Sequence, residues 1–379
     1  MTLITYISRV HFADGILEEA LRSELEVNKH NRPFVLVREN RNQHEEDALE
    51  RLLAGIPNKR SIKLFECVDG LPHENVAVDI AKQYHDEKCD VLIALGSNSI
   101  IDQAKLSKVY IAHNKSLSRF TLAEAGSRLI GEKPLPTLYA VPSIRGFCSS
   151  ITAHAKLIQT NKVHGRLMCR KLVPTVTICD PTLTSDQDAV TTASTGVDAI
   201  SRCLEAYLSP NYNPPADGIA FDGLRRAMQY LPKLLREEDI EYRREMMAAK
   251  LNSGLALQKG LGTTQILSDA LQAATGLDID LGSVRRILLP IIIKMNVEQE
   301  NPKLHALADL FGLNNPAEIT AYIENFLADL PLNNRLSGLG VEEKAIPRAA
   351  EYSANAMSNM LGLDAIEARR VETMLAGAI

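Results

Sequence analysis

No stretch of the 379 residues approaches the ~20 consecutive apolar residues that a membrane span requires. The opening Met1-Thr2-Leu3-Ile4-Thr5-Tyr6 lacks a basic region followed by an apolar block, so a secretory leader is not expected. The six cysteines (Cys67, Cys89, Cys148, Cys169, Cys179 and Cys203) form no Cys-x-x-Cys pair, which excludes a zinc ribbon and a dithiol redox motif. They read as buried or free thiols in a reducing compartment, so a cytoplasmic protein is expected. A strong charge of one sign is missing as well. The net charge of -5 gives no electrostatic reason to expect nucleic acid or an acidic membrane as a partner. Internal repeats and low-complexity segments are absent.

What is present is enough for two well-packed interiors. Hydrophobic residues make up 45% and charged residues 23%, both ordinary for globular chains, and the length exceeds one core. The first half alternates short apolar runs with amphipathic helices. Strands are expected at Pro33–Val37, Ile62–Val68, Asp90–Leu95 and Pro136–Pro142, with helices at Glu45–Leu53, Glu74–Cys89 and after Gly96. That order argues for a parallel sheet covered on both faces. Ala153–Gln159 and Thr175–Asp180, around the basic stretch Arg166–Lys171, read as a hairpin excursion. From residue 185 onward nearly every segment is helical. The expected fold is an α/β Rossmann-like domain over 1–184 and an all-α helical domain over 185–379.

Three stretches carry chemistry. In Asp90–Lys105 a strand, a turn of small residues and a helix succeed one another, so backbone N–H groups could approach a phosphate at the positive helix end. By itself this signal is weak, since small turns follow many buried strands. Val141–Ser150 is a second loop after a strand, with hydroxyls suited to a nucleotide or to nothing more than a βα connection. Glu39 ends the first strand, where a carboxylate can accept from a ribose 2′-OH and repel a 2′-phosphate; a solvated loop charge beside Arg38 and Arg41 is the bland alternative.

The third stretch, Thr195–Ser209, lies within the helix candidate Val190–Leu208. Thr195-Gly196 reads as a break before an unbroken helical pattern. Ala199, Cys203 and Ala206 fall on an apolar face, and Asp198, Arg202 and Glu205 on a polar one. Asp198 and Arg202 are one turn apart, so they point the same way. The pair is either half of a metal site or a helix salt bridge.

Taken together, several stretches resemble the iron-containing alcohol dehydrogenase superfamily, which includes glycerol dehydrogenases and maleylacetate reductases and is related in fold to dehydroquinate synthase. Arg9–Gly15 resembles its opening strand and turn. Leu92–Lys105 resembles its Gly-Gly-Gly-Ser-x-x-Asp-x-Ala-Lys pyrophosphate motif, and Val141–Ser150 its second nucleotide loop. Cys179-Asp-Pro-Thr-Leu-Thr184, followed by Thr195–Ser209, is similar to the family's metal-bearing helix and its approach. Gly260-Leu-Gly262 and Leu288-Leu-Pro290 bracket the remaining ligand region.

The resemblance implies a Rossmann-like domain, a helical domain and a cleft between them, with hydride transfer between NAD(P) and an alcohol or carbonyl. Cofactor contacts are carried onto Glu39, Gly96, Ser97, Asn98, Ser99 and Asp102, and onto Ser143, Ile144 and Phe147 of the second loop. NAD(H) is expected ahead of NADP(H), and the family's habit implies a homo-oligomer.

The metal ligands do not carry over. The family uses one Asp and three His; these positions fall on Asp198, Arg202, Gln265 and Leu281, and a further family histidine falls on Asp269. None of the nine histidines lies between 165 and 304, so no shift of register restores the set. An oxygen-only site from Asp198, Gln265 and Asp269 would suit a hard cation, but Arg202 opposes it. No iron or zinc is expected. The nucleotide loops depart too: Gly96-Ser97-Asn98-Ser99 replaces the glycine run, and Arg145, Phe147, Cys148 and Ser150 replace small residues and a Glu.

The leading expectation is therefore a metal-independent reductase of a small carbonyl or alcohol substrate, with Asp198, Arg202 and Asp269 as its catalytic groups. An anionic substrate is indicated if Arg202 and Arg145 face one site. A nucleotide-binding or assembly subunit that kept the fold is the alternative from another class, and a lyase or cyclase is a third.

Overall fold

The computed structural model describes residues 8–57, 61–68, 70–121, 123–143, 147–185, 187–361 and 368–379. The chain divides into two compact units, Thr5–Gln187 with Glu238–Met247, and Asp188–Glu237 with Ala248–Ile379.

In the first unit, β1 (Arg9–Phe12), β2 (Pro33–Arg38), β3 (Lys63–Cys67), β4 (Val91–Gly96), β5 (Thr137–Pro142) and β8 (Val176–Cys179) form one sheet. Between them run α1 (Leu17–Val27), α2 (Gln43–Gly55), α3 (Glu74–Asp86), α4 (Asn98–His113), α5 (Ala123–Gly131) and the hairpin β6 (His154–Ile158)–β7 (His164–Met168). The sheet order is β1-β8-β5-β4-β2-β3, with every pair parallel. Alternate residues feed two cores. Val35, Val37, Ile93 and Tyr139 pack on α1 and α2, while Phe34, Leu36, Leu92 and Leu138 pack on α3 and α4. A two-period strand buried on both faces needs near-continuous apolar sequence, as these runs supply.

From β2 the chain steps outward to β3, then returns past β2 to β4 and on to β5. The connections thus reverse direction between β2 and β4. In open parallel sheets the crevice for a ligand lies at the carboxyl ends of the two strands flanking such a reversal. Here those ends are Arg38 and Gly96.

Thr175–Asp180 is not part of a hairpin, as the sequence suggested. Val176–Cys179 is buried at every position and pairs in parallel with both β1 and β5. The hairpin forms instead between β6 and β7. Two lysines of α4 hold the hairpin and its flanks. The buried Lys105 ammonium donates to the carbonyls of Thr152 and His154 at 2.8 Å each, and Lys108 donates to that of Lys171 at 2.8 Å. Burial pushes them down to about 8 and about 7 respectively.

The helices that follow are α6 (Ala189–Leu208), α7 (Pro214–Leu234), α8 (Ile240–Leu255), α9 (Thr263–Thr275), α10 (Leu281–Glu298), α11 (Leu304–Phe311), α12 (Ile319–Ala328), α13 (Ile346–Leu361) and α14 (Ala368–Ala376). In the second unit, Leu267, Leu271, Leu288, Ala349 and Leu375 of α9, α10, α13 and α14 share a core. Thr195-Gly196 does not break α6. Gly196 sits inside it because a Cβ there would lie 2.6 Å from Leu231 Cδ1 of α7. Among the described residues no helix is long and apolar enough to cross a membrane. All six cysteines are buried thiols, none in a disulfide.

Asp180 follows β8 and is wholly buried. Its carboxylate accepts from Gly15 N at 2.8 Å, Leu17 N at 3.3 Å, Thr182 Oγ1 at 2.6 Å and Arg51 Nη2 at 2.8 Å. It thereby fixes the β1–α1 turn and α2 to the end of β8. Asp180→Ala would strip the buried Gly15, Leu17 and Thr182 donors of their acceptor and leave Arg51 to Glu18 alone, so urea unfolding should show a loss of about 2–4 kcal/mol. A loss below about 1 kcal/mol would show that solvent replaces these contacts freely.

Candidate active site

The expected site residues fall into two groups of side chains, one in each unit. In the first unit, β4 ends at Gly96 with φ 144°, a backbone conformation open to glycine and strained for other residues. Its carbonyl accepts from Ser143 N at 3.1 Å, which draws the second loop to the β4–α4 turn. Ser97 precedes the helix, and its hydroxyl meets that of Ser99 at 2.8 Å. Asn98 Oδ1 accepts from Ser149 N at 2.9 Å, so it braces the loop beside it. The first backbone N–H groups of a 16-residue helix are thus presented at the carboxyl edge of the sheet.

Asp102 lies one turn inside α4 and is buried, with Oδ2 accepting from Lys156 N at 3.0 Å. Its carboxylate faces the hairpin. Phe147 is buried and Ser143 half-buried, whereas Ile144 and Arg145 lie outside the described residues. Half-buried Glu39 follows β2, where its N–H donates to Cys67 O at 2.8 Å. Arg41 is held by Glu46 at 3.0 Å and Glu66 at 2.7 Å, and Arg38 lies 3.4 Å from Glu45. These contacts give both arginines local carboxylate partners beside Glu39.

The second group is built where α6, α9 and α10 meet. Asp280 caps α10 by accepting from Ser283 N at 2.8 Å, and its other oxygen accepts from Ser194 Oγ of α6 at 2.5 Å. A Cβ on Gly282 would lie 2.3 Å from Ser194 Cα, so glycine permits the two backbones to cross there. One turn along each helix from that crossing, Asp198 of α6 meets Arg285 of α10. Helix α9 is fixed to α6 in a similar way. Glu205 accepts from Thr264 N at 2.9 Å and from Thr264 Oγ1, at the positive end of α9. Burial raises the Glu205 carboxyl above its ordinary range, and the Thr264 donors oppose that shift.

These anchors bring four side chains into a closed ring. Arg202 Nε donates to both oxygens of Asp198, at 2.9 and 3.0 Å. Arg285 Nη1 pairs with Asp198 Oδ1. Gln265 Oε1 accepts from Arg202 Nη2 and from Arg285 Nη2, each at 2.6 Å. Gln265 Nε2 then donates outward to Asp269 Oδ1 at 2.8 Å. Arg285 is fully buried and Arg202 7% exposed, while Asp198 and Asp269 are half-buried. Asp198, Arg202 and Glu205 therefore do not form a solvated polar face: that face of α6 turns inward onto α9 and α10.

Arg285 escaped the sequence analysis. Its one signal is position: it interrupts the apolar run of Val284, Leu288, Leu289 and Ile292 on a buried helix. Leu281 is half-buried at the start of α10 and brings only hydrocarbon. Among the described residues no group of three or more His, Cys, Asp or Glu side chains converges as a metal site would.

Comparison with known proteins agrees with this architecture. The family profile "Iron-containing alcohol dehydrogenase" matches residues 8–181, and "Fe-containing alcohol dehydrogenase family, C-terminal" matches residues 192–378. The 4-hydroxybutyrate dehydrogenase of Cupriavidus necator is 31% identical over 359 residues, covering 90% of this chain and 91% of its own length. The 1,3-propanediol dehydrogenase of Klebsiella pneumoniae is 27% identical over 312 residues, 79% of each chain. The sulfoacetaldehyde reductase of Bifidobacterium kashiwanohense, solved in complex with NAD+, has the same fold. Its TM-score is 0.86 at 19% identity, over 100% of this chain and 98% of that one. With both halves matched in order, the chain belongs to the iron-containing alcohol dehydrogenase family.

Proposed function

We propose that this protein is an NAD(H)-linked oxidoreductase for an alcohol–carbonyl pair, with two arginines in place of a divalent ion. The observation that carries the proposal is the ring around Asp198. The positions onto which the family's metal ligands fall hold one carboxylate, one guanidinium, one amide and one hydrocarbon. Neither a guanidinium nor a leucine can ligate a cation, and two guanidiniums already share the carboxylate. These residues do not fit iron or zinc. They do supply fixed positive charge, from two guanidiniums beside the Asp198 carboxylate.

A fixed cation in a water-poor site stabilises negative charge developing on a carbonyl oxygen during reduction. Arginine holds its proton too tightly to donate it. Asp269, half-buried and held by the Gln265 amide, is the side chain suited to carry the proton. The β4–α4 turn fits a pyrophosphate: Gly96 to Ser99 would offer backbone N–H groups, Ser143 would border them, and Asp102 would brace the turn through the hairpin. Glu39 would accept from the ribose hydroxyls and disfavour a 2′-phosphate. With a nicotinamide bound there, the cofactor would supply the hydride. The names of two relatives, 4-hydroxybutyrate dehydrogenase and sulfoacetaldehyde reductase, point to an acid-bearing alcohol or aldehyde as the substrate class to try first.

The test is NADH-dependent reduction of aldehydes by protein stripped with a chelator. Turnover should survive stripping, and Arg202→Ala should lower kcat by about 100-fold or more while the NADH Kd stays within about twofold. Activity lost on stripping and regained with iron or zinc would overturn the proposal. NADH binding without turnover on any aldehyde would point to a nucleotide-binding subunit. A second measurement addresses the cofactor: Glu39→Ser should narrow the preference for NADH over NADPH by about tenfold, worth roughly 1.4 kcal/mol. An unchanged ratio would remove Glu39 from the ribose site.

A further inference from the structure

We infer that Glu46 and Glu66 help to determine which cofactor the site takes, by holding the Arg41 guanidinium away from the place of a 2′-phosphate. The inference rests on the nucleotide reading given above. A carboxylate just past a strand of such a sheet favours a free ribose, whereas a nearby arginine accommodates a 2′-phosphate. This chain has both kinds of group there, with Glu39 between Arg38 and Arg41. The bonds made by Arg41 favour the carboxylate.

β2 ends at Arg38, and the chain turns through Asn40, whose φ of 51° is left-handed, before Asn42 caps α2. The turn folds Arg41 back over the strand end, where Nη1 donates to the Arg38 carbonyl at 2.5 Å. That carbonyl belongs to the peptide joining Arg38 to Glu39, so the guanidinium lies beside the proposed ribose acceptor. Its other two nitrogens are engaged as well. Nε donates to Glu46 Oε1 of α2 at 3.0 Å, and Nη2 donates to Glu66 Oε1 of β3 at 2.7 Å. The Arg41 side chain is 11% exposed, whereas both glutamates are open to solvent.

Ion pairs between exposed side chains are usually weak and leave both partners mobile. Arg41 differs because three acceptors, one of them a backbone carbonyl, converge on a single sheltered guanidinium. Burial works against its charge, and the bonds from Glu66 and Glu46 outweigh that, so Arg41 holds its proton more firmly than usual. To serve a 2′-phosphate, Arg41 would have to leave both carboxylates, which themselves repel an approaching dianion. A ribose 2′-OH makes no such demand and needs an acceptor such as Glu39.

The test reads the Kd values of NADH and NADPH by nucleotide fluorescence and needs no turnover. The unaltered chain should bind NADH the more tightly. Glu46→Gln with Glu66→Gln keeps the shape of both side chains and removes their charge. This double variant should tighten NADPH by about tenfold and leave the NADH Kd within about twofold. Adding Arg41→Ala should return the NADPH Kd to within about threefold of its starting value. An NADPH Kd unmoved in the double variant overturns the inference. So does a gain that survives Arg41→Ala in full, because it would come from Arg38 or from lost repulsion alone. An unaltered chain that binds NADPH at least as tightly as NADH overturns it too.

If the double variant fails to fold, Glu66→Gln alone is measured, with an expected gain of about threefold that Arg41→Ala removes. If the unaltered chain binds neither nucleotide, the nucleotide reading fails and the inference falls with it. If it binds NADH and Glu39→Ser shifts the preference while the glutamine variants do not, the inference alone fails.

Discussion

The Asp198 carboxylate lies between the guanidiniums of Arg202 and Arg285, and the arrangement of three helices depends on that contact. Removing a charge pair from water costs several kcal/mol per ion unless the partners are well placed and their remaining donors are satisfied. A wholly buried Arg285 therefore constrains its surroundings. Helix α10 must cross α6 one turn away, which the glycine at 282 allows, and α9 must begin where Gln265 can reach both cations. Glu205 secures the latter by capping α9 from α6. Two caps and one close backbone approach thus aim four side chains at a single point.

The first unit solves a different problem with the same means. A parallel sheet buried on both faces leaves its carboxyl edge to loops, and the proposed nucleotide site needs those loops held. The charged residues of the turn motif bond inward. Asp102 takes the Lys156 N–H, and Lys105 supplies the carbonyls of Thr152 and His154. The motif's acid and base thereby fasten the hairpin to α4, while Gly96 and the start of α4 keep the open backbone.

Much of this was legible beforehand, for reasons that differ by element. β2, β4 and β5 are short apolar runs bounded by turn residues, so periodicity and length sufficed. β8 was misassigned to a hairpin because a four-residue apolar run carries no sign of its partner; its place between β1 and β5 comes from tertiary pairing. Gly196 read as a break because glycine disfavours helix locally, whereas the Leu231 side chain of α7 fills the space where its Cβ would be. Asp198 and Arg202 were visible because four-residue spacing is a local property. Arg285 was not, because beside Arg286 it reads as one of two solvated charges. Its burial follows from the crossing of α6 and α10, which no window of sequence contains.

The presence of Arg285 also bears on whether the Asp198–Arg202 pair replaces a metal or merely survives it. A site relieved of function drifts toward stability, and apolar side chains of similar volume commonly stabilise a core more than a buried ion pair does. Leu281 shows that hydrocarbon is tolerated at one of these positions. A relic would then be expected to shed charge from the others as well. Instead a second arginine, costlier to bury than the first, is held by the same carboxylate and by an amide with one satisfactory orientation. Four side chains from three helices agree on one geometry, with two guanidiniums beside Asp198. Packing alone does not call for two buried arginines, and that is the support they give to the proposed replacement.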